Sequence, residues 1–310
     1  MLNWSTLGQY LPPAKTVENA ATHWHVKNYR FDLTHQRVLM GVINLSPDSA
    51  YRESVCTTTE AALERAQRLA LAGAHVVDVG AESTLPQAQR VTPQQQLERL
   101  LPVVEGIAAM PTLSNPEGQP VPPPFISVES YYPEVLEACA KAGAHVFNLT
   151  GTQDEEQVFD IAATHQTAVI LCHVPGPNVR QAQQLGFGPE VVQRIGRALE
   201  ERVAMAHAKG VQGVVVDPGL GFYYRDLEDG ERRVNYQVET LLTAYRFHHL
   251  GVPVMNILPH APQVFGEEHR QEAEPFFAVL ALLGGTHLIR THEVEAVGRI
   301  ARLMDKLEVG

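Results

Sequence analysis

The chain has 310 residues, 45% of them hydrophobic, with 35 acidic side chains against 24 Lys and Arg and a formal net charge of -11. That length and composition belong to a globular chain with a large core, and the acidic balance excludes the clustered cations a phosphate backbone requires, so no nucleic acid partner is expected. No window reaches the roughly 18 consecutive apolar residues of a membrane span, so no membrane partner is expected either.

Cys56, Cys139 and Cys172 are an odd set without CxxC spacing, and the first residues show no basic stretch leading into an apolar run. A reducing, cytoplasmic location is the expectation. Residues 1–36, with Trp4 and Trp24, are expected to form an N-terminal extension capping the domain of residues 37–310. Within that domain, β-rich runs alternate with helical patterns: strands are predicted at 38–44, 75–80, 124–129, 145–149, 168–173, 213–217, 253–258 and 287–290. Helices are predicted at 58–72, 93–109, 132–142, 154–164, 189–209, 235–248, 272–283 and 293–307. Glycines in "LAGAH", "KAGAH" and "AKGV" stand where a left-handed residue ends a helix. Eight βα units in this length predict an α/β fold, a (β/α)8 TIM barrel. A doubly wound sheet would need a Gly-rich turn after the first strand, which "INLSPDS" is not. The Pro-rich stretch 111–124 joins a helix to a strand, which puts it on the N-terminal face, away from the catalytic end.

Polar residues recur where the strands end: Asn44 and Asp48, then Glu82, Ser83 and Thr84, then Glu129 and Ser130, Asn148, His173, Asp217, Asn256, and finally Arg290 with His292. Any one of them, Asp48, Thr84 or Ser130 above all, has a simpler reading as a helix cap. Eight consecutive polar strand ends exceed what capping needs, because acidic groups in a barrel mouth cost free energy unless something pairs with them. Glu129, Asn148 and Asp217 offer acceptors and donors matched to the amidine edge of a flat heterocycle. Arg290, His292 and Asn44 come from the neighbouring last and first strands and predict a site for a small anion, or for a metal with a phosphate.

The segments "MGVINLSPDS", "VDVGAEST", "AGAHVFNLTG", "VILCHVPGP", "VVVDPGLGF" and "LIRTHEVEAV" together resemble the dihydropteroate synthases, pterin-binding TIM barrels of folate biosynthesis, over residues 30–307. The resemblance implies a transferase that condenses 6-hydroxymethyl-7,8-dihydropterin diphosphate with p-aminobenzoate, an arylamine, and releases pyrophosphate. It implies that Asn44 holds Mg2+ and the diphosphate, that Arg290 and His292 hold the diphosphate, and that Asp48, Ser83 and Thr84 lie in the loops around it. It places Glu129, Asn148, Cys172, Asp217 and Asn256 around the pterin, and it implies a homodimer. Departures from the family pattern are Glu129 for an aspartate, Leu85 and Ala50 in the loops of the p-aminobenzoate end, Leu149 for an aspartate, and Pro262 near the place of a lysine, with His260 beside it. Two further readings follow from them. One is a relative with a different nucleophile or no turnover. The other is similarity to methyltetrahydrofolate methyltransferases, which lack the lysine and end strand seven in an asparagine, as Asn256 does here.

Overall fold

Short runs rich in Val, Ile and Leu become parallel strands because each is covered on both sides, by the barrel interior and by a helix. The computed structural model describes residues 8, 10, 20–48, 51–85, 88–181, 184, 190–222 and 229–307. In chain order the elements are the hairpin β1 (His23–Val26) and β2 (Tyr29–Asp32), β3 (Val38–Asn44), α1 (Thr59–Leu71), β4 (Val76–Gly80), α2 (Pro93–Ala108), a small hairpin β5 (Leu113–Ser114) and β6 (Pro120–Val121), β7 (Phe125–Glu129), α3 (Pro133–Ala142), β8 (Val146–Leu149), α4 (Glu155–His165), β9 (Ala168–Cys172), α5 (Val191–Ala208), β10 (Val214–Asp217), α6 (Gly230–Leu242), β11 (Met255–Ile257), α7 (Pro262–Phe265), α8 (Arg270–Leu283), β12 (Leu288–Thr291) and α9 (Val294–Met304).

Eight parallel strands pair in the order β10-β9-β8-β7-β4-β3-β12-β11, and one bridge between Val216 and Val254 brings the two ends together. The fold is a TIM barrel, as the alternation predicts. Gly73, Gly143 and Gly210 follow α1, α3 and α5 with φ of 101°, 118° and 90°, the left-handed conformation expected of them. Thr92 caps α2 in a reciprocal capping box with Gln95.

Two cores result from strand alternation. Side chains facing the helices form the outer core, with Ile43, Val77, Val79, Phe147 and Ile289 among them. Those facing inward, including Met40, Val76, Val146, Ile170, Val215, Met255 and Leu288, join Trp24, Val26, Phe31 and Leu33 of the β1–β2 segment. The hairpin therefore plugs one end of the barrel. Gly213 marks how close it comes: a Cβ there would lie 2.0 Å from the His25 carbonyl oxygen. Trp4, with most of residues 1–19, lies outside the described residues.

The structure departs from the predicted elements in three places. The helix predicted at 235–248 begins at Gly230, because Asp229 accepts a capping bond from the Arg232 amide at 2.8 Å, and it gives way after Leu242 to a 3-10 turn over Ala244–Leu250. Pro262 opens a helical turn, α7, that was not predicted. The Pro-rich stretch folds into the β5–β6 hairpin, its turn closed by the Gln119 amide donating to Asn115 Oδ1 at 2.7 Å.

Candidate active site

A pocket opens at the C-terminal ends of the strands, lined among others by Asn44, Glu82, Glu129, Asn148, Asp217 and Arg290. At its base Arg290 Nε donates to Asp78 Oδ2 at 2.8 Å and Nη2 to Glu129 Oε2 at 3.0 Å. Asp78 also accepts from Ser127 Oγ at 2.6 Å and from Asn148 Nδ2 at 2.9 Å. The Cys172 thiol lies 3.4 Å from both Asn148 Oδ1 and Asp217 Oδ2, and Asp217 Oδ1 accepts from the Gly219 amide at 2.7 Å. One guanidinium thus serves two carboxyl groups, Asp78 and Glu129, with Asp217 nearby.

The electrostatics follow from that imbalance. Burial pushes the Glu129 carboxyl up to about 7 against the pull of Arg290, with Asp78 and Glu82 adding repulsion. Burial likewise raises Asp217 to about 6, and it carries the Cys172 thiol well above its usual range. Both carboxyl groups are thus held above their ordinary range by the dry, crowded surroundings.

Glu129, Asn148, Cys172, Asp217 and Arg290 come together as one cluster. Arg290 is turned toward carboxylates, leaving Nη1 as the end without a protein partner among the described residues. Asn44 lines the pocket with its Nδ2 donating to Ser54 Oγ at 2.5 Å, which leaves Oδ1 as the acceptor. Ser83 and Thr84 line the pocket, and Ser83 Oγ donates to the Asp48 carbonyl at 3.2 Å. Asp48 itself lies outside the lining: its carboxylate accepts from the Gln89 amide at 3.3 Å, so it ties two loops together.

Asn256 requires correction. Met255 faces the barrel interior, so its neighbour faces the helices; Asn256 is fully buried, donates to Thr286 Oγ1 at 2.8 Å and does not reach the pocket, which Ile257 lines instead. His292 also departs from the expectation of a simple anion ligand. Its Nδ1 lies 2.8 Å from Glu274 Oε1 and 3.1 Å from His260 Nε2, and Tyr51 stacks on both imidazoles, with ring centroids 4.3 and 4.7 Å away. Burial lowers His292 to about 4 against the pull of Glu274. His173, off the pocket lining, is likewise lowered to about 4 by burial and by Arg202. Ala50 lies outside the described residues.

Sequence reasoning missed Asp78, although a carboxylate inside the apolar run "VVDVG" was its signal: Val76 faces inward, and so does the residue two further on. It also missed Arg233 and Gln237, which reach the pocket from α6, and Glu274 from α8. No strand-end pattern points to those three.

The model of the family described as "Pterin binding enzyme" matches residues 40–292. The chain belongs to that family. Among its relatives, the dihydropteroate synthase of Escherichia coli (strain K12) is 28% identical over 281 residues, 88% of this chain and 92% of that protein, and that of Bacillus subtilis (strain 168) is 28% identical over 91% of this chain and 93% of that one. Of solved structures, Xanthomonas albilineans dihydropteroate synthase with 4-aminobenzoic acid superposes with a TM-score of 0.74 at 28% identity, covering 92% of this chain and 97% of the other. The Thermus thermophilus enzyme in complex with 6HMPPP gives 0.70, also at 28% identity, covering 92% and 100%.

Proposed function

We propose that the protein is a dihydropteroate synthase-type transferase that joins 6-hydroxymethyl-7,8-dihydropterin diphosphate to p-aminobenzoate in folate biosynthesis. One observation carries the reading: Glu129, Asn148 and Asp217 converge around Arg290 at the barrel mouth, while relatives that match nearly the whole chain are dihydropteroate synthases. In this reading the two carboxyl groups and the amide take the ring's N–H groups. The C–O bond to the diphosphate breaks first, the arylamine nitrogen then forms the C–N bond, and the amine loses a proton to solvent. Charge develops on the departing diphosphate, so the residues that matter most are the donors meeting it, Arg290 Nη1 and Thr84, with the acceptor Asn44 Oδ1 reaching it only through a cation.

Mg2+ fits the Asn44 end, since a hard cation takes an amide oxygen together with phosphate oxygens and water. When bound it would neutralise the leaving group. Asp78, by holding Arg290 and Asn148, positions the ring site without contacting the reacting atoms.

A different second substrate remains the alternative because Leu85, in place of an arginine, lines the pocket and offers no partner for the carboxylate of p-aminobenzoate. Purified protein incubated with Mg2+ and the pterin diphosphate, with and without p-aminobenzoate, decides between them. Dihydropteroate that disappears in Asn148→Ala and Asp217→Ala is the expected result. Pyrophosphate release without dihydropteroate would overturn the choice of arylamine. We read the protein as a cytoplasmic homodimer; no described helix is long and apolar enough to cross a membrane, and Phe276 and Leu283 of α8 are exposed apolar residues suited to a subunit contact.

A further inference from the structure

At the rim of the pocket three ligating atoms converge from three elements. His260 Nε2, from the loop after β11, lies 2.8 Å from Glu274 Oε1; His292 Nδ1, just beyond β12, lies 2.8 Å from the same oxygen; and the two nitrogens are 3.1 Å apart. Protons alone satisfy this triangle poorly. If both nitrogens carry hydrogens toward the carboxylate, two N–H groups crowd each other across 3.1 Å; if one is bare, its lone pair faces the carboxylate oxygen at 2.8 Å. Three potential ligand atoms within 3.1 Å of one another are what a cation resolves. A point about 2.1 Å from all three atoms, the usual distance for imidazole nitrogen and carboxylate oxygen on zinc, exists on the axis of a triangle this size.

The surroundings are built to hold the triangle in that orientation. Glu274 is fully buried, and its other oxygen accepts from the Thr291 hydroxyl, from the His292 amide at 2.9 Å and from the Glu293 amide at 3.2 Å, which points Oε1 at the histidines. Tyr51 stacks against both rings and is itself fixed by a hydrogen bond to Glu293. His260 and His292 line the pocket whereas Glu274 does not, so the triangle borders the pocket on its histidine side. Among the described residues no other group of three His, Cys, Asp or Glu side chains converges in this way.

We propose that His260, Glu274 and His292 form a two-histidine, one-carboxylate site for a divalent transition metal ion of the zinc or iron(II) class, with its remaining coordination positions facing the pocket. Two imidazoles select such an ion over Mg2+, which prefers oxygen ligands. The ion supplies positive charge on the loop where the family pattern has a lysine; no lysine lines the pocket among the described residues. Its use in transfer, binding an oxygen of the diphosphate, rests on the function proposed above. Its existence does not.

The test strips the full chain with a chelator, titrates Co2+ near neutral pH, and follows visible absorption and metal content after gel filtration. About one equivalent is expected. His260→Gln and His292→Gln should each weaken binding by more than roughly 100-fold, beyond the loss a merely supporting residue gives. His260→Gln, at the half-buried rim, keeps the test open if changes at Glu274 unfold the chain. Pyrophosphate should alter the Co2+ spectrum, and excess Mg2+ should not displace the ion. No bound metal in the parent protein, equal binding by His260→Gln, or displacement by Mg2+ each overturns the site. A protein that binds Co2+ but makes no dihydropteroate keeps the site and loses the proposed reaction; one that makes dihydropteroate without binding Co2+ does the reverse.

Discussion

Asp217 is more costly to the fold ionised than protonated. Its folded value of about 6 stands above the ordinary 3.8, with burial the leading cause. A raised carboxyl contributes stability that is fully present below about 4 and lost as pH climbs through about 6. Asp217→Asn imitates the protonated form, so it should match the parent near pH 3 and exceed it above pH 7 by on the order of 3 kcal/mol in urea unfolding, while pterin affinity falls sharply. Equal stability at every pH would show that the carboxylate is already compensated. Asp78→Ala strands the donors of Arg290 and Asn148 in a dry interior, and a loss of roughly 3–5 kcal/mol is expected in the same measurement. Asn148, Asp217 and Arg290 were legible in the sequence because they stand at strand ends. Asp78 was not, because it sits one pleat deeper, and Asn256 was misplaced because a one-residue step turns a side chain from the interior to the helix layer.

At the scale of elements, every barrel strand and its following helix could be read from alternation, since each strand is a short apolar run and each helix a longer amphipathic one. What escaped was set by side chains acting at a distance. Arg202 on α5 donates to Glu155 of α4 at 2.7 and 2.5 Å, to the Cys172 carbonyl at 2.6 Å and to the Gly151 carbonyl at 3.3 Å. Two helices and the ends of β8 and β9 are thereby fixed by one guanidinium. Arg202→Ala should cost roughly 3 kcal/mol, and Arg202→Lys should recover little of it, because a point charge cannot replace the fork. Full rescue by lysine in thermal unfolding would show that charge alone is what counts.

For the whole molecule, the barrel is closed at one end by the β1–β2 hairpin and carries its chemistry at the other. Trp24 is buried at 1% exposure and stacks on Phe31 with ring centroids 5.4 Å apart. Trp24→Ala should therefore destabilise by roughly 3–5 kcal/mol and leave substrate affinity near that of the parent. A variant with parental stability but weakened pterin binding would contradict this division of labour.

The bridge between Val216 and Val254 gives the barrel a seam. Seven neighbouring pairs share ladders, but β10 and β11 meet at a single bridge, where the Val216 amide donates to the Pro253 carbonyl at 3.0 Å. Amide exchange should begin along this line. Asp217 ends the strand on one side of it, and Arg290 stands on β12, just past β11 on the other. A heterocycle held between those two residues would act as a clasp, so the occupied barrel would be the one whose hoop is whole.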